Sequence, residues 1–248
     1  MPLINQRRAR RLTNVERERG KKGGDEFVVP RETIGKEMAK ALVANSAKAL
    51  DLLKTSGALR ELLPEIDKLA QDDEYLKPFT TMKTRDATVI AALMLRGLDA
   101  EHARAQARAV GISLLPAESP YRVREDEAGW IINRLREGEA DVPSMRASLF
   151  ERMYMNERGE RYLAALDALV KTDAAKAIRD RVTNIRERWL AEKDEKIKPL
   201  VSGDDVLARG MKPGPRVREL LDAVRDAQLD GRVMDRENAL KLLQSLTT

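Results

Sequence analysis

Four cations lie within ten residues near the C-terminus of this sequence, and no acid lies among them. They are Arg209, Lys212, Arg216 and Arg218. Pro215 suits the first position of a helix, whose N-terminal end carries unpaired backbone N–H groups and a partial positive charge. The pattern therefore predicts a rigid turn that can bind a phosphate, with Gly214 letting a ligand approach the backbone closely. The alternative is an ordinary helix-turn-helix with solvated surface charges.

A second basic cluster occupies the start of the chain. Residues 1–25 contain eight Lys and Arg against three acids, and the other 38 basic and 38 acidic residues cancel, so this segment accounts for the net charge of +5. The cations closest to the start are Arg7, Arg8, Arg10 and Arg11. A flexible arm of this kind can pair with nucleic-acid phosphates and release their counterions. A solvated tail without a ligand is an equally open alternative.

Composition excludes most catalytic and metal sites. The chain has no cysteine and one histidine, His102, which rules out thiol nucleophiles, zinc-thiolate sites and histidine-rich metal centres. We expect His102 to be a surface or partly buried helix residue. The acidic run at residues 125–127 has a helical context, where a solvated first helical turn is the expected arrangement. We therefore expect no metal, no cofactor and no catalytic residue.

The hydropathy of the chain indicates a protein without membrane segments. No apolar run approaches the roughly 20 residues that a membrane helix needs. Residues 1–11 are basic and lack the apolar core of a signal peptide. Because the absence of cysteine suits a reducing compartment, we expect a soluble, cytoplasmic protein.

Apolar residues recur at three- and four-residue spacing along almost the whole chain, which predicts an all-α fold. One example is the set Leu163, Leu166, Leu169 and Val170. Thr33 and Ser46 are the expected helix caps, another helix is expected to open at Asp99 to Glu101, and a long helix is expected over 172–195. The glycines expected at helix ends are Gly57, Gly97, Gly111, Gly138 and Gly210. Two prolines predict a loop over 114–122.

Two longer motifs have a clear local structure. Residues 45–66 read NSAKALDLLKTSGALRELLPEI, which predicts an amphipathic helix stopped by Gly57 and a short second helix stopped by Pro64. Residues 199–221 read PLVSGDDVLARGMKPGPRVRELL, with AQLDG at 227–231. Here Ser202 or Asp204 is expected to cap a short helix that ends at Gly210.

These motifs resemble, in this order, two regions of bacterial tRNA nucleotidyltransferases and poly(A) polymerases. Residues 45–66 are similar to the neck of that family, where a lysine-and-leucine helix runs into a Ser-Gly-x-Leu turn and a Leu-Pro-Glu stop. Residues 32–38 resemble the entry helix of the neck, with Thr33 where an arginine is usual. The segments Ser-Gly-Asp-Asp, Gly-x-Lys-Pro-Gly-Pro and Gln-Leu-x-Gly are similar to the C-terminal domain, which implies a surface that grips tRNA away from its acceptor end.

The catalytic head of that family has no counterpart here. Its Gly-Ser motif, its Asp-x-Asp pair and its strands are not found in this sequence. The resemblance therefore implies a noncatalytic RNA-binding module in tRNA 3′-end processing, whose head is a separate nucleotidyltransferase chain or was removed. It covers residue 26 to the C-terminus, most clearly at both ends.

The resulting hypothesis is an elongated helical array with four parts. These are a basic flexible arm (1–25), neck helices (26–71), a helical body (72–195) and a tRNA-binding-like tail (196–248). In the tail, Lys212 and Arg216 are the expected phosphate contacts, and Arg209 and Arg218 are secondary. Two other classes stay open: a protein-interaction or scaffold module without RNA binding and, with less support, a helical hydrolase, for which no nucleophile with its base is visible.

Overall fold

The computed structural model describes residues 30–191 and 198–247, and within these ranges it contains α-helices and no strand. This confirms the predicted all-α, multi-helix fold. The helices are α1 (Arg31–Ala44), α2 (Ser46–Thr55), α3 (Ala58–Leu62), α4 (Pro64–Leu69), α5 (Asp73–Thr81), α6 (Ala87–Leu95), α7 (Ala100–Ala109), α8 (Glu125–Glu137), α9 (Ala147–Tyr154), α10 (Glu157–Ala168), α11 (Thr172–Ala191), α12 (Gly203–Leu207), α13 (Pro215–Leu229) and α14 (Arg236–Thr247), with a 3-10 turn at Val142–Ser144.

Most predicted helix ends are confirmed. Each of the five glycines expected at a helix end lies at or just beyond the end of α2, α6, α7, α8 or α12. Asp99 caps α7, because its carboxylate accepts the backbone N–H of His102 at 2.9 Å. Residues 110–124 contain no helix and connect α7 to α8, so the loop predicted over 114–122 is also confirmed. Local turn and cap chemistry therefore sets these boundaries.

Two predicted caps are wrong by one or more residues. Thr33 lies inside the first turn of α1, which begins after Pro30. Asn45 caps α2 in place of Ser46, because its extended backbone lets the side-chain oxygen accept the Lys48 N–H at 3.0 Å. The Ser46 hydroxyl instead donates to the Leu42 carbonyl at 2.6 Å. The long helix α11 runs from Thr172 as predicted, and its predicted end at residue 195 lies outside the described residues.

The described chain forms two compact units. Unit 1 comprises residues 30–138 and 161–172, and unit 2 comprises residues 139–160, 173–191 and 198–247. None of the described helices combines the length and the hydropathy of a membrane-spanning segment. The division into arm, neck, body and tail stays a prediction.

Helix α6 forms the centre of unit 1, and all nine of its residues are buried. It packs against α8, α1 and α7. Asp86 caps it by accepting the N–H groups of Thr88 and Val89 at 2.8 and 3.2 Å. Arg161 then bridges Asp86 and Glu127, at 2.8 and 2.6 Å. These polar groups close the start of a helix whose nine residues are all buried.

Unit 2 contains a small core of its own around α12, α13 and α14. Its buried members are Val201, Val206, Leu220, Val224, Ala227, Val233, Ala239 and Leu243. Ion pairs join α13 to α9: Arg152 lies 2.9 Å from Asp226, and Arg225 lies 3.3 Å from Glu151. The basic turn between α12 and α13 is therefore held on a packed support.

The end of α10 differs from its predicted pattern. Val170 was expected on an apolar helix face, but it follows the helix in a left-handed backbone conformation (φ 61°) and is 65% exposed. Its own N–H donates to the Asp167 backbone carbonyl, and the Lys171 N–H donates to the Leu166 carbonyl at 3.0 Å. This hydrogen-bond pattern usually uses glycine, so the branched side chain makes the helix end strained.

A close backbone contact joins α1 to the loop after α7. A Cβ atom added to Gly111 would lie 2.1 Å from the Arg31 carbonyl oxygen, and one added to Gly35 would lie 2.3 Å from the Gly111 carbonyl carbon. No side chain larger than hydrogen fits between these backbones. The two glycines therefore set how closely α1 approaches this loop.

We predict that Gly111→Ala lowers the free energy of unfolding by about 3 kcal/mol or more, because it adds a backbone clash to the strain of a positive φ. Gly231→Ala is the matched control. Gly231 has a similar φ of 73°, and the N–H of the residue after it donates to the carbonyl five residues back, as it does after Gly111. Nothing lies within 4 Å of a Cβ added to Gly231, so a loss of about 1 kcal/mol is expected. Urea denaturation measures both, and equal losses would show that the close contact has no energetic role.

Candidate nucleic-acid interface

The basic turn begins with a firmly capped helix. The Ser202 hydroxyl accepts the Asp205 N–H at 3.4 Å, and the Asp205 carboxylate accepts the Ser202 N–H at 2.7 Å. The same carboxylate lies 2.6 Å from the Arg236 guanidinium. Ser202 is thus the cap of α12, as predicted, and Asp204 lies in the first turn. These contacts fix the start of the turn against α14.

The turn itself follows the predicted path. Gly210 lies just beyond α12 with a φ of 82°, and Pro215 occupies the first position of α13 after Gly214. The start of α13 has fewer unpaired backbone N–H groups than predicted. Proline has no N–H, and the Val217 N–H donates to the Gly214 carbonyl at 3.1 Å. The side chains, more than the backbone, must therefore bind an anion here.

The four predicted cations of the turn are all exposed, and their neighbours differ. Arg209 donates to the Asp205 carbonyl at 2.6 Å. Arg216 lies 3.0 Å from Glu219 and 3.4 Å from the Leu246 carbonyl. Arg218 lies 3.9 Å from Asp222. Lys212 has no hydrogen bond or ion pair within the described chain.

The weak contacts leave these side chains available to a ligand. The side chains of Arg216 and Arg218 are 59% and 89% exposed, and their acidic partners are exposed too. Exposed pairs of this kind contribute about 0–1 kcal/mol, so a phosphate can replace the carboxylate at little cost. The i,i+3 and i,i+4 spacings of these pairs are visible in the sequence.

The backbone at Gly214 leaves space on the outer side of the turn. An added Cβ would meet no atom within 4 Å, and the backbone is extended. A ligand can therefore approach this backbone closely, as predicted. No neighbouring atom of the described chain requires a glycine here.

The last part of the C-terminal motif supports the fold. The Gln228 amide donates to the Lys198 carbonyl at 2.9 Å, and its oxygen accepts the Leu200 N–H at 3.4 Å. Gln228 is 8% exposed. This residue ties the segment before α12 to α13, a role that its spacing in the sequence did not reveal.

Three other predicted features have clear outcomes. Arg7, Arg8, Arg10 and Arg11 lie outside the described residues. His102 is an exposed residue of α7, as expected, and the hydrogen bond of its Nδ1 to Asp99 at 2.6 Å raises the pKa of its imidazole. The acidic run at 125–127 is only partly solvated, because two of its three carboxylates are shielded by ion pairs with arginines. These pairs are Glu125 with Arg108 and Glu127 with Arg161.

Comparison with known proteins identifies no relative of the chain. None of the protein families, curated proteins or solved structures compared with the chain matches it significantly. Within the described chain, no cluster of acidic or histidine side chains is suited to a metal ion. The resemblance to tRNA nucleotidyltransferases stays a prediction from the two motifs.

The support of the turn should depend on pH through Asp205. The Ser202 N–H above all, with the Ser202 hydroxyl and Arg236, lowers the pKa of Asp205 below its ordinary 3.8, although partial burial opposes this. A carboxylate with a depressed folded-state pKa stabilises the fold above 3.8, and this contribution is lost as pH falls through the folded-state pKa.

We predict that Asp205→Asn lowers the free energy of unfolding of unit 2 by about 1 kcal/mol at neutral pH, since it removes a charged capping and ion-pair partner. The difference from the unchanged chain should shrink as the pH falls below 3.8. Urea denaturation at several pH values tests this. A difference that is constant with pH would mean that the Asp205 charge does not stabilise the turn.

Proposed function

We propose that this chain is a noncatalytic RNA-binding module that contacts the phosphate backbone of tRNA, or of another structured RNA, through the exposed turn Arg209–Arg218. The observation that carries the proposal is the charge of this turn: it holds four exposed cations and no acid. One of them, Lys212, has no partner within the described chain. Such a cluster attracts polyanions and can replace their counterions.

The motif around the turn separates into two groups of residues. Ser202, Asp205, Gly210 and Gln228 cap, turn or tie the backbone. Lys212, Arg216 and Arg218 contribute little to the fold, because Lys212 has no partner in the described structure and the ion pairs of the two arginines are exposed. Cations that the fold does not need are candidates for binding, and three of them on one rigid turn suit a phosphate backbone better than a single anion.

The family resemblance supports tRNA as the RNA, and it suggests the route to activity. A module without a catalytic head would act in tRNA 3′-end processing by holding the RNA for a separate nucleotidyltransferase chain. Selection by shape is expected, because phosphate contacts carry no sequence information. This proposal includes no cofactor and no metal for the chain itself.

We predict that Lys212→Glu with Arg216→Glu weakens tRNA binding by about tenfold or more, because two favourable charges become repulsive. Binding of unstructured RNA should weaken less. Fluorescence anisotropy with labelled tRNA and a single-stranded RNA of equal length, at two or more salt concentrations, measures both affinities. Circular dichroism checks that the fold is intact, as expected for exposed side chains.

The matched control is Lys176→Glu with Lys241→Glu. Both lysines are exposed in unit 2, lie outside the turn, and give the same change of net charge. If the control pair weakens tRNA binding as much as the turn variant, only net charge matters and the turn is not the site. If the full chain binds no RNA at all, the protein-interaction alternative replaces this proposal.

The basic segment at the start of the chain should add affinity without selectivity. Removing residues 1–24, which contain eight Lys and Arg, should flatten the plot of log affinity against log salt. Each lost phosphate contact changes the slope by roughly 0.7–0.9. The ratio of tRNA to single-stranded RNA affinity should not change. An unchanged slope would show that the segment does not contact RNA.

A further inference from the structure

Unit 1 contains a cleft of about 570 Å³ beside the loop that joins α7 to α8. The loop forms one wall, and the first turn of α8 forms the other. Its lining is mixed, with three arginines, three acids and several apolar side chains. The pairing of these charges decides what the cleft could bind.

Each of the three acids has an arginine partner. Arg108 lies 2.6 Å from Glu125 and, by its hydrogen bond, lowers the pKa of that carboxyl. Glu127 lies 2.6 Å from Arg161. The third acid, Asp126, lies 3.4 Å from Arg104. Arginines of unit 1 therefore already act as counterions for the run, and a further cation is not the expected ligand. Only Asp126 presents its carboxylate to solvent.

Two arginines of the cleft have a distant ion-pair partner or none among the described residues. Arg122 is half-buried, and its guanidinium has no hydrogen bond or ion pair in the part of the chain that the structure describes. Arg124 reaches Glu127 at only 3.8 Å. An arginine without a carboxylate beside it keeps the donors of its guanidinium available for an anionic ligand. Ser113, 7% exposed, lines the same cleft with its hydroxyl beside the Glu125 carboxylate.

An apolar surface adjoins the unmatched cation. Leu114 is 48% exposed and Ala117 is exposed, and both line the cleft. These two side chains offer contact area for an apolar group, while Arg122 offers a bidentate fork for a carboxylate. The combination favours a ligand that carries both kinds of group.

We propose that this cleft binds a peptide segment of a partner protein, with a carboxylate on Arg122 and a neighbouring apolar side chain on Leu114 and Ala117. The charge of the lining argues against RNA, because its three arginines are balanced by three acids. The Asp126 side chain is 98% exposed and would repel a run of phosphates. This site is separate from the basic turn, and it does not depend on RNA binding there.

The test is a titration of the full ¹⁵N-labelled chain with acetyl-Glu-Leu-Leu-amide, followed by amide chemical shifts. Acetyl-Gln-Leu-Leu-amide removes the carboxylate, and acetyl-Glu-Ser-Ser-amide removes the apolar groups. Sodium acetate and a short oligoadenylate serve as anion and RNA probes. We expect saturable shifts in residues 111–124 with the first peptide, and affinity at least about fivefold lower for either altered peptide.

Arg122→Gln should lower the affinity for acetyl-Glu-Leu-Leu-amide by about tenfold, because one charge-assisted contact is lost. Arg136→Gln is the matched control, since Arg136 is exposed at the other end of α8, and it should leave the affinity unchanged. Leu114→Ser tests the apolar contact independently of charge. Amide spectra of each variant establish that the fold is retained.

Three results would overturn the proposal. The first is the absence of saturable shifts up to the solubility limit of the peptide. The second is equal binding of acetate or of acetyl-Glu-Ser-Ser-amide, which would show an anion site only. The third is tighter binding of the oligoadenylate in the cleft, which would assign it to RNA. Loss of peptide binding in Arg122→Gln but not in Arg136→Gln supports it.

Discussion

The fold of unit 1 depends on satisfying the first N–H groups of a helix that has no exposed side. Because all nine residues of α6 are buried, water cannot serve these groups, and each one left without an acceptor would cost about 1–3 kcal/mol. Asp86 supplies the acceptor but brings a negative charge to the edge of the core. Arg161 neutralises it, and since its side chain is only 13% exposed, it takes a second carboxylate from Glu127. Burial lowers the pKa of Arg161, but the two carboxylates raise it more.

This chain of requirements explains the acidic first turn of α8. Its Glu127 completes the network around α6, and its Glu125 binds Arg108 on α7. The Arg124 N–H donates to the buried Thr88 hydroxyl of α6 at 3.1 Å, so the start of α8 is also held by its backbone. Acids are common in the first turn of a helix because of its dipole. Here the same residues also position three neighbouring helices.

Local chemistry made many features predictable from the sequence. The stop at Gly57, the cap at Ser202 and the helix end at Gly210 depend on residues within a few positions of one another. The contact of Arg161 with Asp86 spans 75 residues, and that of Arg216 with the Leu246 carbonyl spans 30. No periodicity or cap rule encodes such pairs, because they arise only when helices pack. The basic turn was therefore predictable in its shape, but the contact of Arg216 with the Leu246 carbonyl was not.

A chain that is 35% charged cannot be assigned a function from charge alone, since most of its ions serve packing or solubility. The informative cations are those that the described structure leaves unmatched. Lys212 and Arg122 both meet this condition, yet their surroundings differ. Lys212 lies in a turn whose other charges are all positive, and a ligand with several phosphates gains from each of them. Arg122 lines a cleft that also holds three acids, of which Asp126 is 98% exposed, and these disfavour a ligand with several phosphates more than one with a single carboxylate. The same kind of contact, between a cation and an anion, therefore favours different ligands in the two units.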